Sequence, residues 1–280
     1  MKILVLGSTG VLGRNVIPRL IERKHKVRVI VRHTKQARFL EQMGAETKLG
    51  DIFDLKSLDQ AAHGCEAVLH LATAIPKSGE QDWSLNDRVR REGTRNLVTA
   101  AVNNGVKQYI QQSIVLLYGE RGQQIVDETA ALQVSPISES SAEMEAIVQA
   151  SKLDWSILRG GIFYGHGTGR EEGWRQLAMN KTLVIPGDGS DLISLIHVVD
   201  YARAIVAATE NAPAGGIYNI VDDEPVSYKE LFTHIALQQE AGLLRSGGEK
   251  FLPSLGCTNT LAKKALNWQP VYPTYRSGLS

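Results

Sequence analysis

Lys2-Ile3-Leu4-Val5-Leu6-Gly7-Ser8-Thr9-Gly10-Val11-Leu12-Gly13 is the stretch from which the fold is read. The apolar run Ile3–Leu6 has the character of a fully buried strand in a parallel sheet. Glycines follow at positions 7, 10 and 13, and an amphipathic pattern over Val11–Arg23 begins inside the glycine run. Strand, glycine turn and helix in this order form a dinucleotide-binding fingerprint, here spaced GxxGxxG, a variant of GxGxxG. Gly7 permits the sharp turn, Gly10 lets a pyrophosphate approach the backbone, and Gly13 lets the helix pack on the strand. With Ser8, Thr9, Val11 and Leu12 they make a cradle in which free N–H groups and the helix dipole favour phosphate charge. A glycine triplet alone also makes a bland tight turn; its place after the first strand, with a second strand on schedule, favours the nucleotide.

Outward from this loop, short apolar runs alternate with helical patterns as far as residue 160. Ile3–Leu6, Val27–Val31, Thr47–Leu49, Val68–Leu71, Gln108–Gln112 and Trp155–Leu158 read as strands, with Val11–Arg23, Lys35–Met43 and Arg88–Asn104 as helices between them. Such alternation implies βαβ units with right-handed crossovers: an α/β, Rossmann-type doubly wound parallel sheet. After Gly160 the rhythm changes. A helix at Glu171–Asn180, a strand at Thr182–Ile185, a helix at Ile196–Glu210 and a strand at Gly216–Val221 are expected. The expected division is a dinucleotide-binding domain over 1–160 and a smaller C-terminal substrate lobe over 161–280, with about 192–225 returning to the main sheet.

The end of the second strand bears on the cofactor. A carboxylate there suits the ribose hydroxyls of NAD, whereas arginine suits the extra phosphate of NADP. The strand runs into Arg32 and His33, and no Asp or Glu lies between Glu22 and Glu41, so NADP(H) is favoured over NAD(H). Asp51 and Ile52, after the third strand, are placed to contact adenine, with a helix cap or turn as the alternative role of Asp51.

Composition narrows the function classes. The 280 residues carry a formal net charge of +1, which offers no global field for nucleic acid or an anionic membrane. The two cysteines, Cys65 and Cys257, are far apart and form no CxxC pair, so neither a disulfide framework nor a metal site is expected. The opening apolar run is too short for a signal-peptide core, and a cytoplasmic protein is expected.

Further motifs carry a family resemblance. They are Val68-Leu69-His70-Leu71-Ala72, Glu92-Gly93-Thr94-Arg95-Asn96-Leu97, Leu158-Arg159 with Phe163-Tyr164-Gly165, and Ile196-His197-Val198-Val199-Asp200-Tyr201-Ala202. Tyr218-Asn219-Ile220-Val221-Asp222-Asp223-Glu224 and Leu266-Asn267-Trp268-Gln269-Pro270 complete the series. Together with the glycine loop they span nearly the whole chain, which resembles an extended short-chain dehydrogenase/reductase of the NAD-dependent epimerase/dehydratase type. The resemblance implies a Rossmann domain over a small substrate lobe, Leu71, Ala72 and Thr73 lining the cofactor, and a homodimer formed through two long helices.

That family performs proton and hydride chemistry with a Tyr-x-x-x-Lys pair, in which lysine one turn away lowers the phenol pKa. None of the eight tyrosines here has lysine four residues on. Anchored on Ala142-Glu143-Met144-Glu145, in an expected helix over Ile137–Ala150, the tyrosine position is Ile137 and the lysine position Ser141. The usual serine position after the fifth strand holds Ile114, with Ser113 beside it, and Arg90 stands where many members carry asparagine. Isoleucine neither donates nor accepts a proton, so the standard mechanism is lost.

Three functions compete. One is an atypical reductase or isomerase of a small organic molecule, with Ser113 or Tyr118, or less directly Lys152 or Tyr164, as proton donor. The second is a non-catalytic NADP(H)-binding sensor, regulator or assembly scaffold. The third is a sugar-nucleotide epimerase with an unusual site, in which Arg159, His197 and Arg203 would bind an anion.

Overall fold

The computed structural model describes residues 1–76 and 82–279. Strands β1 (Lys2–Leu6), β2 (Lys26–Val31), β3 (Glu46–Leu49), β4 (Ala67–His70) and β5 (Gln108–Ile114) join Asp154–Gly160 and Gly216–Ile220 in a seven-stranded sheet. Read across, the order is Gly216–Ile220, Asp154–Gly160, β5, β4, β1, β2, β3. The pairings β1–β2, β2–β3, β1–β4 and β4–β5 are parallel. The chain order therefore reverses between β1 and β4, the switch point at which open α/β sheets bind ligands beyond their carboxyl ends.

Helices α1 (Val11–Glu22), α2 (Thr34–Gln42), α3 (Leu55–Ala62), α4 (Ser84–Arg88), α5 (Thr94–Asn103) and α6 (Glu139–Gln149) follow in chain order. Helix α1 buries Leu12, Gly13, Val16, Ile17 and Leu20, the stripe its sequence period requires. The Rossmann-type fold expected from the sequence is thus present, with three local corrections. The helix expected over Arg88–Asn104 is interrupted by a π-helical turn, Val89–Gly93, which buries Val89 and Arg90 side by side. Helix α6 starts at Glu139, so Ile137 lies outside it. The helix expected from Ile196 starts at Val198 after a short strand, Leu195–His197, because His197 Nδ1 accepts the Val199 N–H (3.3 Å).

The chain forms two compact units that interleave in sequence. Unit 1 comprises Met1–Ser113, Pro136–Leu158 and Ile205–Ile217; unit 2 comprises Ile114–Ser135, Arg159–Ala204 and Tyr218–Ser280. The core of unit 1 packs Leu4, Leu6 and Val68 of the sheet against Leu58 of α3, Leu97 and Ala101 of α5, and Val148 of α6. Unit 2 gathers Tyr164, Leu183, Ile193, Leu195, Leu231, Phe232 and Tyr275. Its tail is pinned by Asp200, whose carboxylate accepts the Val271 and Tyr272 N–H groups (2.8 and 2.7 Å) while its carbonyl accepts the Trp268 indole (3.1 Å). Among the described residues no helix is long and apolar enough to cross a membrane.

Candidate functional site

At the carboxyl end of β1, Gly7 adopts φ +83°. A Cβ there would lie 2.5 Å from the carbonyl carbon and oxygen of Leu71 and 2.6 Å from Ala72 N, so the segment leaving β4 passes directly against the turn. A Cβ on Gly13 would meet Gly7 O at 2.4 Å and Ser8 Cα at 2.6 Å, which makes glycine the condition for packing α1 on β1. Gly10 differs. Its backbone is extended (φ −70°, ψ 168°), and a Cβ would come no nearer than 3.4 Å to Gly7 O. Nothing in the chain's own packing demands glycine at position 10, where Thr9 and Gly10 are exposed and no side chain caps α1. The cradle therefore fits a pyrophosphate: an open backbone, uncapped N–H groups and a helix N-terminus face the same place. Ser8 is buried, its Oγ donating to Ile30 O (3.3 Å), while Val11 and Leu12 begin the helix.

Arg32 follows β2 on the surface, beside exposed His33. Asp51 serves a turn: its Oδ1 accepts the Phe53 N–H (2.9 Å), and the true cap of α3 is Asp54. Ile52 packs against Gly93, where a Cβ would lie 2.7 Å from Ile52 Cδ1. Leu71 is buried, Ala72 half-buried and Thr73 exposed; the next residue is held by Asn86, whose Oδ1 accepts the Ala74 N–H (3.0 Å). His70, at the end of β4, is fully buried, and burial lowers its pKa to about 4, so it is neutral at physiological pH.

A second polar group in unit 1 includes the position read from the sequence as that of the usual lysine. Ser113, 3% exposed at the end of β5, donates to Glu145 Oε1 on α6 (2.5 Å). Arg90 Nη1 donates to Ser140 Oγ (3.1 Å), which in turn donates to Asp87 Oδ1 (2.6 Å). Ser141, read from the sequence as the lysine position, is fully buried, and its Oγ has no hydrogen-bond partner among the described residues. Ile137, read as the tyrosine position, is 53% exposed. Sequence reasoning missed Glu145, Asn86 and Ser140. The signal for Glu145 was present, because Ser141, Met144, Glu145 and Val148 form the buried stripe of α6 and an inward carboxylate requires a donor.

In unit 2, Tyr118 is fully buried and donates to Asn219 Oδ1 (2.9 Å), with Arg159 Cζ 5.0 Å from its ring centroid. Burial pushes its pKa up to about 12, despite the nearby guanidinium. Tyr164 donates to Asp222 Oδ2 (3.0 Å), and burial carries the Asp222 carboxyl up to about 8. His197 packs between Tyr164 and Tyr272 (centroids 5.1 and 4.0 Å), with a pKa lowered to about 4 by burial. Arg203 pairs with Asp200 (3.6 Å) from an exposed position, and Lys152 of unit 1 is exposed.

The sequence model of the NAD dependent epimerase/dehydratase family matches residues 3–221. The chain belongs to that family, within the extended short-chain dehydrogenases/reductases. It is 30% identical over 306 residues to a 3-diazoavenalumate denitrifying reductase of a Streptomyces species, covering 100% of this chain and 99% of that protein. A photosystem II assembly factor of Synechocystis is 28% identical over 163 residues, 57% of this chain and 44% of the factor. Among solved structures, UDP-glucose 4-epimerase of Thermus thermophilus in complex with NAD superposes with a TM-score of 0.81 at 23% identity, covering 100% of this chain and 96% of that one. At that identity the likeness defines the fold, and function has to come from the site.

Proposed function

We propose that the protein is an NADPH-dependent reductase of a small organic electrophile that needs no proton from a protein side chain. One arrangement carries this: an intact glycine cradle, open at Gly10, in a chain whose tyrosine and lysine positions hold exposed Ile137 and buried Ser141. Gly7, Gly10, Gly13 and the first turn of α1 hold the pyrophosphate, and Leu71, Ala72 and Thr73 border it. Arg32, exposed after β2 with no carboxylate nearby in sequence, supports NADPH over NADH. When bound, a nicotinamide dinucleotide supplies hydride.

Ser113 and Tyr118 are the hydroxyls offered by the sequence as donors, yet each is buried and already donates, to Glu145 and Asn219 respectively. An electrophile that consumes hydride without a proton removes the need for either. The Streptomyces relative is named as a denitrifying reductase of a diazo compound. Reduction of an arenediazonium ion balances as ArN2+ plus hydride giving ArH plus N2, with no proton consumed.

The test is NADPH oxidation by the purified protein with carboxybenzenediazonium, against a panel of ketones. Oxidation above the protein-free rate, with dinitrogen and arene formed and with Tyr118→Phe retaining the rate, is expected. Ketone reduction that collapses in Tyr118→Phe would overturn the proposal. A second function, a dinucleotide-dependent scaffold, draws support from the likeness to an assembly factor. It would be favoured by NADPH binding that changes oligomeric state without turnover.

A further inference from the structure

Arg90 is a guanidinium in an unusual place. It is 8% exposed and lies on the π-helical turn Val89–Gly93. A buried charge is costly unless it is paired and its donors are used, and arginine carries five N–H donors in a rigid fork. Among the described residues Arg90 makes one hydrogen bond, from Nη1 to Ser140 Oγ, and no ion pair. Its nearest carboxylate connection is indirect: Ser140 passes the contact on to Asp87 Oδ1. Burial lowers the pKa of the guanidinium, and Asp87 restores only part of the difference. Among the described residues the guanidinium therefore leaves most of its donors without a protein partner.

Its surroundings point to a ligand. Asn86, four residues earlier in the same run of helix, holds the Ala74 N–H, so this helix is fastened to the segment that leaves β4 after Leu71–Thr73. On α6, Ser113 at the carboxyl end of β5 is bonded to Glu145, and Ser140 of the same helix takes Arg90. Ser141, the neighbour of Ser140, is fully buried with an unpartnered Oγ. These residues cluster beyond the carboxyl ends of β4 and β5, the side of a parallel sheet where ligands bind. A planar fork with donors to spare, an unpartnered hydroxyl and, among the described residues, no direct ion pair together match a carboxylate in geometry and in charge.

We propose that Arg90, assisted by Ser140 and Ser141, anchors the carboxylate of the substrate, which makes the substrate a small organic acid. This deepens the reductase proposal and rests on it. An arginine that merely braced α6 to the π-turn would lower stability when removed. A buried cation that Asp87 compensates only in part does the opposite, because an apolar residue of similar length relieves the buried charge.

The experiment uses the full chain, with NADPH binding measured first so that loss of the dinucleotide site is seen separately. Formate is the minimal carboxylate probe and formamide its neutral counterpart. In isotope-labelled protein, the Arg90 guanidinium resonance, identified by its disappearance in Arg90→Met, should shift saturably with formate in the millimolar range and not with formamide. Arg90→Lys, which keeps the charge and drops the fork, should lose the guanidinium resonance and weaken formate-induced shifts at Ser140 and Ser141. Without formate, Arg90→Met should keep NADPH binding and raise the melting temperature by roughly 2–4 °C. Absence of a formate shift, an equal response to formamide, or a melting temperature that falls in Arg90→Met would each overturn the carboxylate proposal. Wild-type protein that fails to bind NADPH would instead overturn the reductase proposal beneath it.

Discussion

Gly10 and Gly13 belong to one motif and answer to different physics. A Cβ on Gly13 would fall within 2.7 Å of Gly7 O, Ser8 Cα and Ser8 O, all backbone atoms with no freedom to yield. Gly13→Ala should therefore destabilise the chain by more than about 2 kcal/mol, read from a denaturant titration. Gly10 has ordinary space and an extended backbone that alanine adopts freely. Gly10→Ala should leave the melting temperature unchanged or slightly higher, as fewer unfolded conformations are lost. It should nonetheless weaken NADPH by at least about tenfold, roughly 1.4 kcal/mol, in a calorimetric titration. Equal binding by Gly10→Ala would mean that no phosphate passes close to the backbone there. The sequence motif assigns packing to Gly13 and phosphate approach to Gly10, and the structure supplies the physical difference: backbone atoms crowd Gly13, whereas Gly10 has open space.

At the scale of elements, the burial of charge makes stability depend on pH. The short strand Ile162–Tyr164 is tied to the segment after Gly216–Ile220 through the hydrogen bond from Tyr164 to Asp222. Burial raises the folded-state pKa of Asp222 from 3.8 to about 8. Between those values the folded chain retains a proton that the unfolded chain has released, so stability falls as pH rises, by up to about 1.4 kcal/mol per pH unit for one proton. Asp222→Asn mimics the protonated form and lacks this dependence. The melting temperature of the wild type minus that of Asp222→Asn should therefore decline between pH 4 and 8; a difference flat across this range would show that Asp222 is ionised when folded.

Elements were legible in the sequence where periodicity was unbroken, as in β1, β2 and α1. They were misread where a side chain redirected the backbone. His197 delays its helix to Val198 by accepting the Val199 N–H, and the run Arg88–Asn104 widens into a π-turn around buried Arg90. Neither effect alters the apolar pattern on which a sequence reading depends.

For the whole molecule, the parallel α/β sheet follows from the alternation of apolar runs and helical patterns, whereas the strand order, with the glycine loop where that order reverses, is set by folding. Ile205–Ile217, which joins unit 1, lies within the stretch expected to return to the main sheet, whereas the place of Ile114–Ser135 in unit 2 rests on contacts between residues far apart in sequence, which a local pattern does not encode. The candidate site divides in the same way. Cradle residues were legible from spacing, whereas Ser113 with Glu145, and Arg90 with Ser140 and Asp87, are pairings made by folding.

Whether this chain is a nicotinamide dinucleotide protein at all is tested most directly by calorimetric titration of the purified, cofactor-stripped chain with NADPH and with NADH. Saturable binding of one dinucleotide per chain, tighter for NADPH, is the predicted result. Binding of neither would contradict it, and would leave the glycine loop as a structural turn in a fold kept for some other purpose.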